Sequence, residues 1–272
     1  MRHLKATRYA TPLREGGSLP AIVETEIGEL CVVKFRGAGQ GHRALVAEAL
    51  AAALAVELGL PVAEPAIVQL EVGFGRSEPD PEIQDILKNS HGENFGLDFI
   101  SSALPFDPSI NRDIDPELAA DIVWFDALIT NVDRSPRNVN LLMQDGRIWM
   151  IDHGASFYFH HRWEGWRDRI QSRFPQIKDH VLLHLAGDLV KADRRLRYQL
   201  NDDALNRAVD QIPASWLGDE EELFPDVENH RQAYVAYLRE RLDGPREWLD
   251  EAIQAKALGP QKHVTRVTRR VV

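Results

Sequence analysis

The stretch that decides the fold is Asn131-Val132-Asp133-Arg134-Ser135-Pro136-Arg137-Asn138, together with Ile151-Asp152-His153-Gly154. Between the two segments, the apolar runs 139–143 and 148–151 flank Asp145-Gly146, a dipeptide typical of a tight hairpin turn. A hairpin brings its two ends together. Asn138, just before the first strand, and Asp152, just after the second, are therefore predicted to lie side by side.

These polar residues indicate a phosphate and metal site. An asparagine amide and an aspartate carboxylate are hard oxygen ligands that suit Mg²⁺, which takes one or two protein carboxylates alongside phosphate oxygens. Asn138 and Asp152 are therefore the predicted metal ligands, and Asp133 is free to orient a substrate hydroxyl or accept its proton. Arg134 and Arg137 can offset the charge of phosphates or of a phosphorylated group. The alternative is that these polar residues only cap turns.

The segment before this loop has the pattern of a buried helix. Asp115 is a suitable N-cap, Pro116 suits the first helical turn, and the helix is predicted to end at Thr130. Residues 122–129 are too apolar for a surface helix, so we place the helix in the core of the second half. Further helices are predicted over 165–174, 177–191, 202–211 and 227–257.

The first half predicts strands and one long helix. The pattern gives strands over 20–27, 30–35, 66–72 and 95–100, a helix over 42–58, an irregular insert over 76–94 with a short helix near 83–88, and a linker over 102–115. The layout predicts an α+β fold of two lobes, with a sheet and helix first and a mainly helical part second. The predicted division is an N-lobe over 1–104, a helical C-lobe over 105–258 and a basic tail over 259–272.

The spacing of the polar residues resembles that of protein kinases. An Asp, four intervening residues, an Asn and then Asp-x-Gly after a short hairpin is the kinase layout of catalytic loop and metal loop. Lys34, near the end of the second strand, is expected to reach phosphate oxygens as a point charge. Glu48 on the following helix is expected to pair with it, as in kinases. The alternatives are an ordinary edge-strand lysine for Lys34 and a solvated helix residue for Glu48.

A turn upstream of the first predicted strand is a further candidate. Gly16-Gly17-Ser18 exposes backbone N–H groups that can cradle phosphates. A plain β-turn explains the same residues equally well. The turn is not a Gly-x-Gly-x-x-Gly loop.

Several segments together resemble the HipA-like kinases, which have a protein-kinase-like fold. They are Val33-Lys34, Glu48-Ala49-Leu50 through Leu58-Gly59-Leu60-Pro61-Val62, residues 131–138 and Ile151-Asp152. The resemblance covers roughly residues 15–160 with recognisable motifs. It implies ATP and Mg²⁺ as cofactors, Asp133 as the catalytic base with Arg134 beside it, Asn138 and Asp152 as metal ligands, and Lys34 as the ATP-phosphate ligand.

The resemblance also carries expectations about the substrate and partners. Family members phosphorylate serine or threonine on proteins, some act as toxins, and some autophosphorylate a serine in the phosphate-binding loop, where Ser18 stands. This sequence begins almost directly at the predicted nucleotide-binding strands, without the extra N-terminal subdomain of the toxin form. An antitoxin partner is therefore doubtful. Asp152-His153-Gly154 also differs from Asp-Phe-Gly, so an activation-loop switch is not expected.

Composition restricts the class of partner. The 272 residues carry a formal net charge of −10, which argues against direct nucleic-acid binding. The only basic cluster is in residues 262–270 and is expected to be a frayed, solvated tail. A single cysteine, Cys31, excludes an internal disulfide, and the sequence contains no apolar run that would span a membrane, so a cytoplasmic protein is expected.

Three functions remain open from the sequence. The first is a serine/threonine protein kinase, the second a kinase-fold enzyme that phosphorylates a small molecule or a lipid head group, and the third a nucleotide-binding regulatory protein with little catalysis. The phosphoacceptor itself, protein or small molecule, is not defined by the sequence. The histidines His153, His160 and His161 match no known zinc spacing.

Overall fold

Most strands and helices follow the predicted order, with an additional strand at the start and another in the predicted linker. The computed structural model describes residues 1–13, 19–39, 41–76, 78–111, 113–218 and 223–259. Within these ranges the strands are β1 Arg2–Pro12, β2 Ala21–Thr25, β3 Leu30–Lys34, β4 Pro65–Leu70, β5 Gly92–Asp98, β6 Leu104–Pro105, β7 Leu141–Gln144 and β8 Arg147–Met150. The α-helices in the same ranges are α1 Gly41–Glu57, α2 Pro81–Lys88, α3 Pro116–Ile129, α4 Leu189–Gln199, α5 Asp202–Asp210, α6 Val227–Asp243 and α7 Glu247–Leu258.

The first five strands close into a small barrel in the order β1-β2-β3-β5-β4. All neighbouring pairs are antiparallel except β1 and β4, whose parallel pairing closes the barrel. Alternate residues of each strand point inward, so Val23 and Val33 are fully buried in the barrel core. Because side chains alternate, Lys34 lies on the opposite face from Val33.

Strand β1 was not predicted, and the reason is its composition. Only Leu4 and Ala6 of its eleven residues are buried, and the rest are mainly polar. Its position depends on pairing with β2 and with β4, which lies some sixty residues further along the chain and about which the local sequence carries no information. The sequence of β1 therefore lacks the extended apolar alternation that predicts a strand.

Helix α1 lies between the barrel and the helical half of the chain. Residues 44–55 are all buried, because alanines dominate this helix and allow close approach on several sides. The helix packs against β4 and β5 on one side and against α5 on the other. Its residues belong to the larger of two buried apolar clusters, and the barrel interior forms the smaller.

The predicted core helix is confirmed as α3. The Asp115 carboxylate caps it by accepting a hydrogen bond from the Glu117 backbone N–H at 3.0 Å, and Thr130 ends it in the left-handed conformation with a φ of +54°. Every residue from Ala119 to Ile129 is buried. The hairpin of β7 and β8 across Asp145-Gly146 is also confirmed.

Three predicted helices were wrong in extent. Residues 165–174 and the first part of 177–191 form short 3₁₀ helices and turns instead, and α4 begins only at Leu189, where Asp188 provides the cap. The left-handed Gly165 and the ring of Pro175 interrupt a regular helix. The single helix predicted over 227–257 is two helices, because Gly244 and Pro245 separate α6 from α7.

Other boundaries also differ from the predictions. The insert over 76–94 contains α2 and the start of β5. The predicted linker contains β6, which pairs with β7. The boundary proposed between residues 104 and 105 falls within that strand, and the division into lobes stays a prediction. Within the described ranges, every helix is too short or too polar to traverse a bilayer.

The C-terminal end of α3 is held by a fully buried arginine on α6. The Arg241 guanidinium donates hydrogen bonds to the backbone oxygens of Ala127, Leu128, Ile170 and Ser172. Burial lowers the pKa of Arg241, but the partly negative carbonyl end of α3 favours a cation at this place. The arginine therefore fixes the point at which the core helix leads into the predicted catalytic loop.

Replacing this arginine is expected to destabilise the fold. In Arg241→Met several buried carbonyl oxygens lose their donors, so the free energy of unfolding should fall by about 2 kcal/mol or more. Urea denaturation measures this change. The control is Arg239→Met, which removes a partly exposed arginine of the same helix and should cost about 1 kcal/mol or less. Equal losses in the two variants would contradict the assigned role.

Candidate active site

A lysine bound by two carboxylates forms the centre of the site. The Lys34 ammonium contacts the Glu48 carboxylate and lies 2.6 Å from Oδ1 of Asp152. These three residues come from β3, α1 and the segment after β8, so the contact joins the barrel, the long helix and the hairpin. The structure therefore brings together three residues that the sequence analysis named.

The local structure explains why these residues meet. Lys34 points away from the barrel interior, toward the face covered by α1. Asp152 follows the hairpin directly and has a left-handed backbone with a φ of +54°. The hairpin ends are joined because the Ile151 N–H donates to the Asn140 oxygen at 3.1 Å. That bond holds the segment with Asp152 against the catalytic loop.

Burial and charge oppose each other at this centre. Burial alone would lower the pKa of Lys34, but Glu48 and Asp152 outweigh it and raise the pKa above its ordinary value. Burial raises the pKa of Glu48, against the effect of the lysine. For Asp152 burial acts in the same upward direction, but Lys34 dominates and lowers the pKa. Lys34 is therefore charged, and Asp152, whose side chain is 39% exposed, remains an ionised carboxylate.

The loop after α3 holds Asp133 by both its side chain and its backbone. The Asn138 amide donates to Oδ2 of Asp133 at 2.7 Å, and the Asn140 amide donates to the Asp133 backbone oxygen at 2.6 Å. The loop is closed by two backbone bonds between Ser135 and Asn138. Asn131 accepts a bond from the Asp133 N–H at 3.1 Å. The Asp133 carboxylate is thus oriented before any substrate is present.

The electrostatic environment of Asp133 favours proton acceptance. Burial and the nearby negative charge of Asp152 raise the pKa of Asp133, although hydrogen bonds from Asn138 and Asn140 act in the opposite direction. A raised pKa brings a carboxylate closer to the value at which a general base works at neutral pH.

Arg134 has an internal position. Its guanidinium is fully buried, lies 2.6 Å from the Asp126 carboxylate of α3, and donates to the backbone oxygens of Asn140 and Ile151. A further nitrogen lies 2.9 Å from the ring of His153. One side chain therefore connects the core helix, the catalytic loop and the segment of Asp152. With these contacts made, Arg134 faces the protein interior and does not face a ligand.

The histidines around Arg134 are buried and uncharged. Burial and the Arg134 charge lower the pKa of His153 to about 3. Burial also lowers the pKa of His180, whose ring lies 2.8 Å from the Asp126 carboxylate. Asp126 is buried as well, but the charge of Arg134 lowers its pKa. The network is thus one ion pair flanked by neutral imidazoles.

Sequence reasoning missed three residues of this network, namely Asp126, Asn140 and His180. The sequence could have indicated Asp126, because a carboxylate inside an apolar core helix must have a partner. It could not have indicated Asn140 or His180, since their roles depend on contacts made across the fold. Three other named residues, Gly16, Gly17 and Ser18, lie outside the described residues, as does the basic tail beyond residue 259.

The donor set at the site fits Mg²⁺ with a nucleotide phosphate. Asp152 and Asn138 offer one carboxylate and one amide oxygen, which leaves room for the phosphate oxygens and waters that Mg²⁺ prefers. Lys34 is charged and within reach of the same place. The residues are therefore of the right chemical type for both groups, and those groups would bind against Asp152.

Comparison with known proteins identifies the class. A five-stranded barrel with a lysine-glutamate pair, followed by a helical half with the Asp133 loop, defines a kinase-type phosphotransferase. The profile described as HipA-like kinase matches residues 8–248. The chain belongs to the HipA-like kinase family.

A solved structure shares the fold. The crystal structure of a Helicobacter pylori proinflammatory kinase, CtkA, is similar over 88% of this chain and 94% of that chain, at 15% sequence identity and a TM-score of 0.53. The predicted α+β, protein-kinase-like fold is thereby confirmed. The golgi casein kinase aligns over 95% of this chain and 75% of that chain, at 13% identity and a TM-score of 0.44. No curated protein sequence matches.

The buried histidine predicts a specific acid sensitivity. The pKa of His153 is about 3 in the folded protein and about 6.5 in the unfolded chain. Below pH 6.5 the unfolded state therefore binds a proton that the folded state excludes, and stability falls by about 1.4 kcal/mol per pH unit from this residue. In His153→Gln, whose amide oxygen can still accept from Arg134, this contribution disappears. Unfolding free energies measured from pH 6.5 to 4.5 should then fall less steeply.

The control for this measurement is His3→Gln, because His3 is exposed on β1. That variant should keep the wild-type slope. An unchanged slope in His153→Gln would show that His153 is not the buried neutral group described here.

Proposed function

We propose that this kinase transfers the γ-phosphoryl group of ATP to a serine or threonine hydroxyl of a protein substrate. The observation that carries the proposal is the Lys34 ammonium held between Glu48 and Asp152, beside an oriented Asp133. A charged lysine beside the Asp152 carboxylate, with the Asn138 amide on the Asp133 loop, suits a triphosphate with a divalent cation. A carboxylate with a raised pKa next to them suits a hydroxyl acceptor.

Each residue has a distinct role in this proposal. Lys34 binds phosphate oxygens, and Glu48 holds the lysine in place from α1. Asp152 and Asn138 would bind Mg²⁺, which supplies charge neutralisation on the phosphates. Asp133 orients the acceptor hydroxyl and takes its proton. The new bond forms between that oxygen and the γ-phosphorus while the bond from phosphorus to the ADP oxygen breaks.

Arg134 acts as a positioning residue in the proposed mechanism. Its contacts with Asp126, Asn140 and Ile151 fix the distance between the Asp133 loop and the Asp152 segment. In-line transfer depends on such fixed geometry, since a misplacement of about 1 Å can cost two orders of magnitude in rate. Lys34 therefore faces the phosphates in place of Arg134, and a bound Mg²⁺ would supply further positive charge there.

A polypeptide acceptor is supported by the shape of the surface next to Asp133. A cavity of about 590 Å³ adjoins the loop and is lined in part by the exposed residues Arg137, Lys178 and His184. A groove whose lining includes exposed charged side chains accommodates an extended chain. An enclosed pocket would be expected for a small acceptor.

The test removes single charges without changing side-chain shape. Purified protein is incubated with Mg²⁺, γ-labelled ATP and a mixed serine/threonine protein substrate, and phosphate incorporation is followed by label and by intact mass. Asp133→Asn and Asp152→Asn should each lower the transfer rate about 100-fold or more, because the first loses its base and the second its metal ligand. Asp145→Asn is the control, since Asp145 has the same left-handed backbone as Asp152 but lies at the hairpin turn.

Full transfer by Asp133→Asn would contradict the assigned base. Nucleotide binding by the wild type without any phosphate transfer would favour the regulatory-binder alternative.

A further inference from the structure

A groove lies beside the loop that carries Asp133. Residues 131–132 and 134–137 form one wall, and residues 176–181 with His184 form the other. We call it the basic groove, after the three side chains Arg137, Lys178 and His184 that line it. Its volume of about 590 Å³ is enough for a few amino-acid side chains.

The basic groove carries more cationic than acidic side chains, although the chain as a whole is acidic. The whole sequence has a formal net charge of −10, yet Asp179 is the only acidic residue among those that line the groove. Asp179 has an interaction partner of its own. Within the described residues, Arg137 and Lys178 are exposed and form no ion pair. Two cations that form no ion pair with any described residue thus line a groove beside the loop that carries Asp133.

The second wall of the groove is fixed to the loop that forms the first wall. The Val181 N–H donates to the Arg134 backbone oxygen at 3.1 Å, and His180 lies 2.8 Å from Asp126, the carboxylate that also pairs with Arg134. Ile177 and Val181 are buried beneath the wall. The charges of Arg137 and Lys178 are therefore carried on a surface whose position relative to Asp133 is set by the core.

The position of Arg137 in the loop determines which substrate residues can contact it. Arg137 directly precedes Asn138, whose amide contacts the Asp133 carboxylate at 2.7 Å. An acceptor hydroxyl must approach Asp133, and an extended peptide advances by only about 3.3 Å per residue. Residues next to the acceptor in the substrate therefore pass along the loop that carries Arg137.

We propose that the basic groove binds carboxylate side chains close in sequence to the phosphoacceptor residue, so that this kinase prefers acidic polypeptide segments. Arginine can bind a carboxylate with two parallel hydrogen bonds, and lysine adds a point charge. The inference rests on the proposed function, because it places the acceptor hydroxyl at Asp133.

Peptide binding without ATP tests the groove separately from catalysis. The probes are a fluorescently labelled peptide with one serine flanked by glutamates and a matched peptide with glutamines, measured by anisotropy at low and high salt. The wild type should bind the glutamate peptide more tightly, and the difference should shrink with added salt. Arg137→Gln and Lys178→Gln should each weaken binding of the glutamate peptide about three- to fivefold.

The control variant is Arg194→Gln, which removes an exposed arginine of α4 that does not line the groove. It should bind both peptides like the wild type. The inference is overturned if the wild type binds the two peptides within about twofold of each other. It is also overturned if Arg194→Gln loses as much affinity as Arg137→Gln.

Charge reversal provides a second, positive readout. Arg137→Glu should bind the glutamate peptide poorly and gain affinity for a peptide with lysines in place of the glutamates. Because Arg137 is exposed, this change should leave the fold intact. A reversal variant that folds and shows no gain would also overturn the inference.

The same peptides separate failure of the groove from failure of the proposed function. Asp133→Asn should retain the preference for the glutamate peptide while losing phosphate transfer. A wild type that prefers the glutamate peptide but transfers no phosphate would leave the groove assigned and refute the kinase proposal. A wild type that phosphorylates both peptides equally well would refute the groove alone.

Discussion

The ammonium group of Lys34 is the contact on which the geometry of the site depends. A buried charge is tolerated only when it is paired, and both partners of Lys34 come from other parts of the chain. Glu48 fixes the long helix relative to the barrel, and Asp152, 118 residues away in sequence, fixes the hairpin exit relative to both. The three elements can therefore close only in an arrangement that gathers these charges at one place, which is where a nucleotide phosphate would bind.

A second buried ion pair sets the other half of the site. Arg134 and Asp126 have side chains without solvent exposure, and the remaining donors of Arg134 reach the catalytic loop and the Asp152 segment. His153 and His180 stay neutral around this pair because burial opposes their protonation. Arg241 completes the arrangement by binding the carbonyl end of α3. Positioning here is thus provided by polar groups inside the core, whose bonds are strong because water is excluded.

The sequence predicted those parts of the site that local order determines. Lys34 and Glu48 were paired by their kinase-like order along the chain, and they are in contact. The hairpin ends were expected to meet, and Ile151 bonds to Asn140; the metal-ligand roles of Asn138 and Asp152 stay predictions. The supporting network around Arg134 was not predicted, because the partners of Asp126 and His180 are defined only by tertiary contacts. For the same reason β1, with two buried residues among polar ones, was not predicted. The helices predicted from the charged sequence after residue 165 are interrupted by glycine and proline.

The central claim is that Lys34 marks the binding site of the ATP phosphates. Its most direct test is calorimetric titration of a non-hydrolysable ATP analogue with Mg²⁺ into the wild type, into Lys34→Met and into a double variant. The double variant combines Lys34→Met with Glu48→Gln, so neither member of that ion pair keeps an unpaired charge. Lys88→Met is the control, because Lys88 is exposed on α2. We predict that both Lys34 variants bind the analogue at least about tenfold more weakly, as expected for loss of a charge-assisted contact, while Lys88→Met binds normally. Unchanged affinity in the folded Lys34 variants would contradict the account.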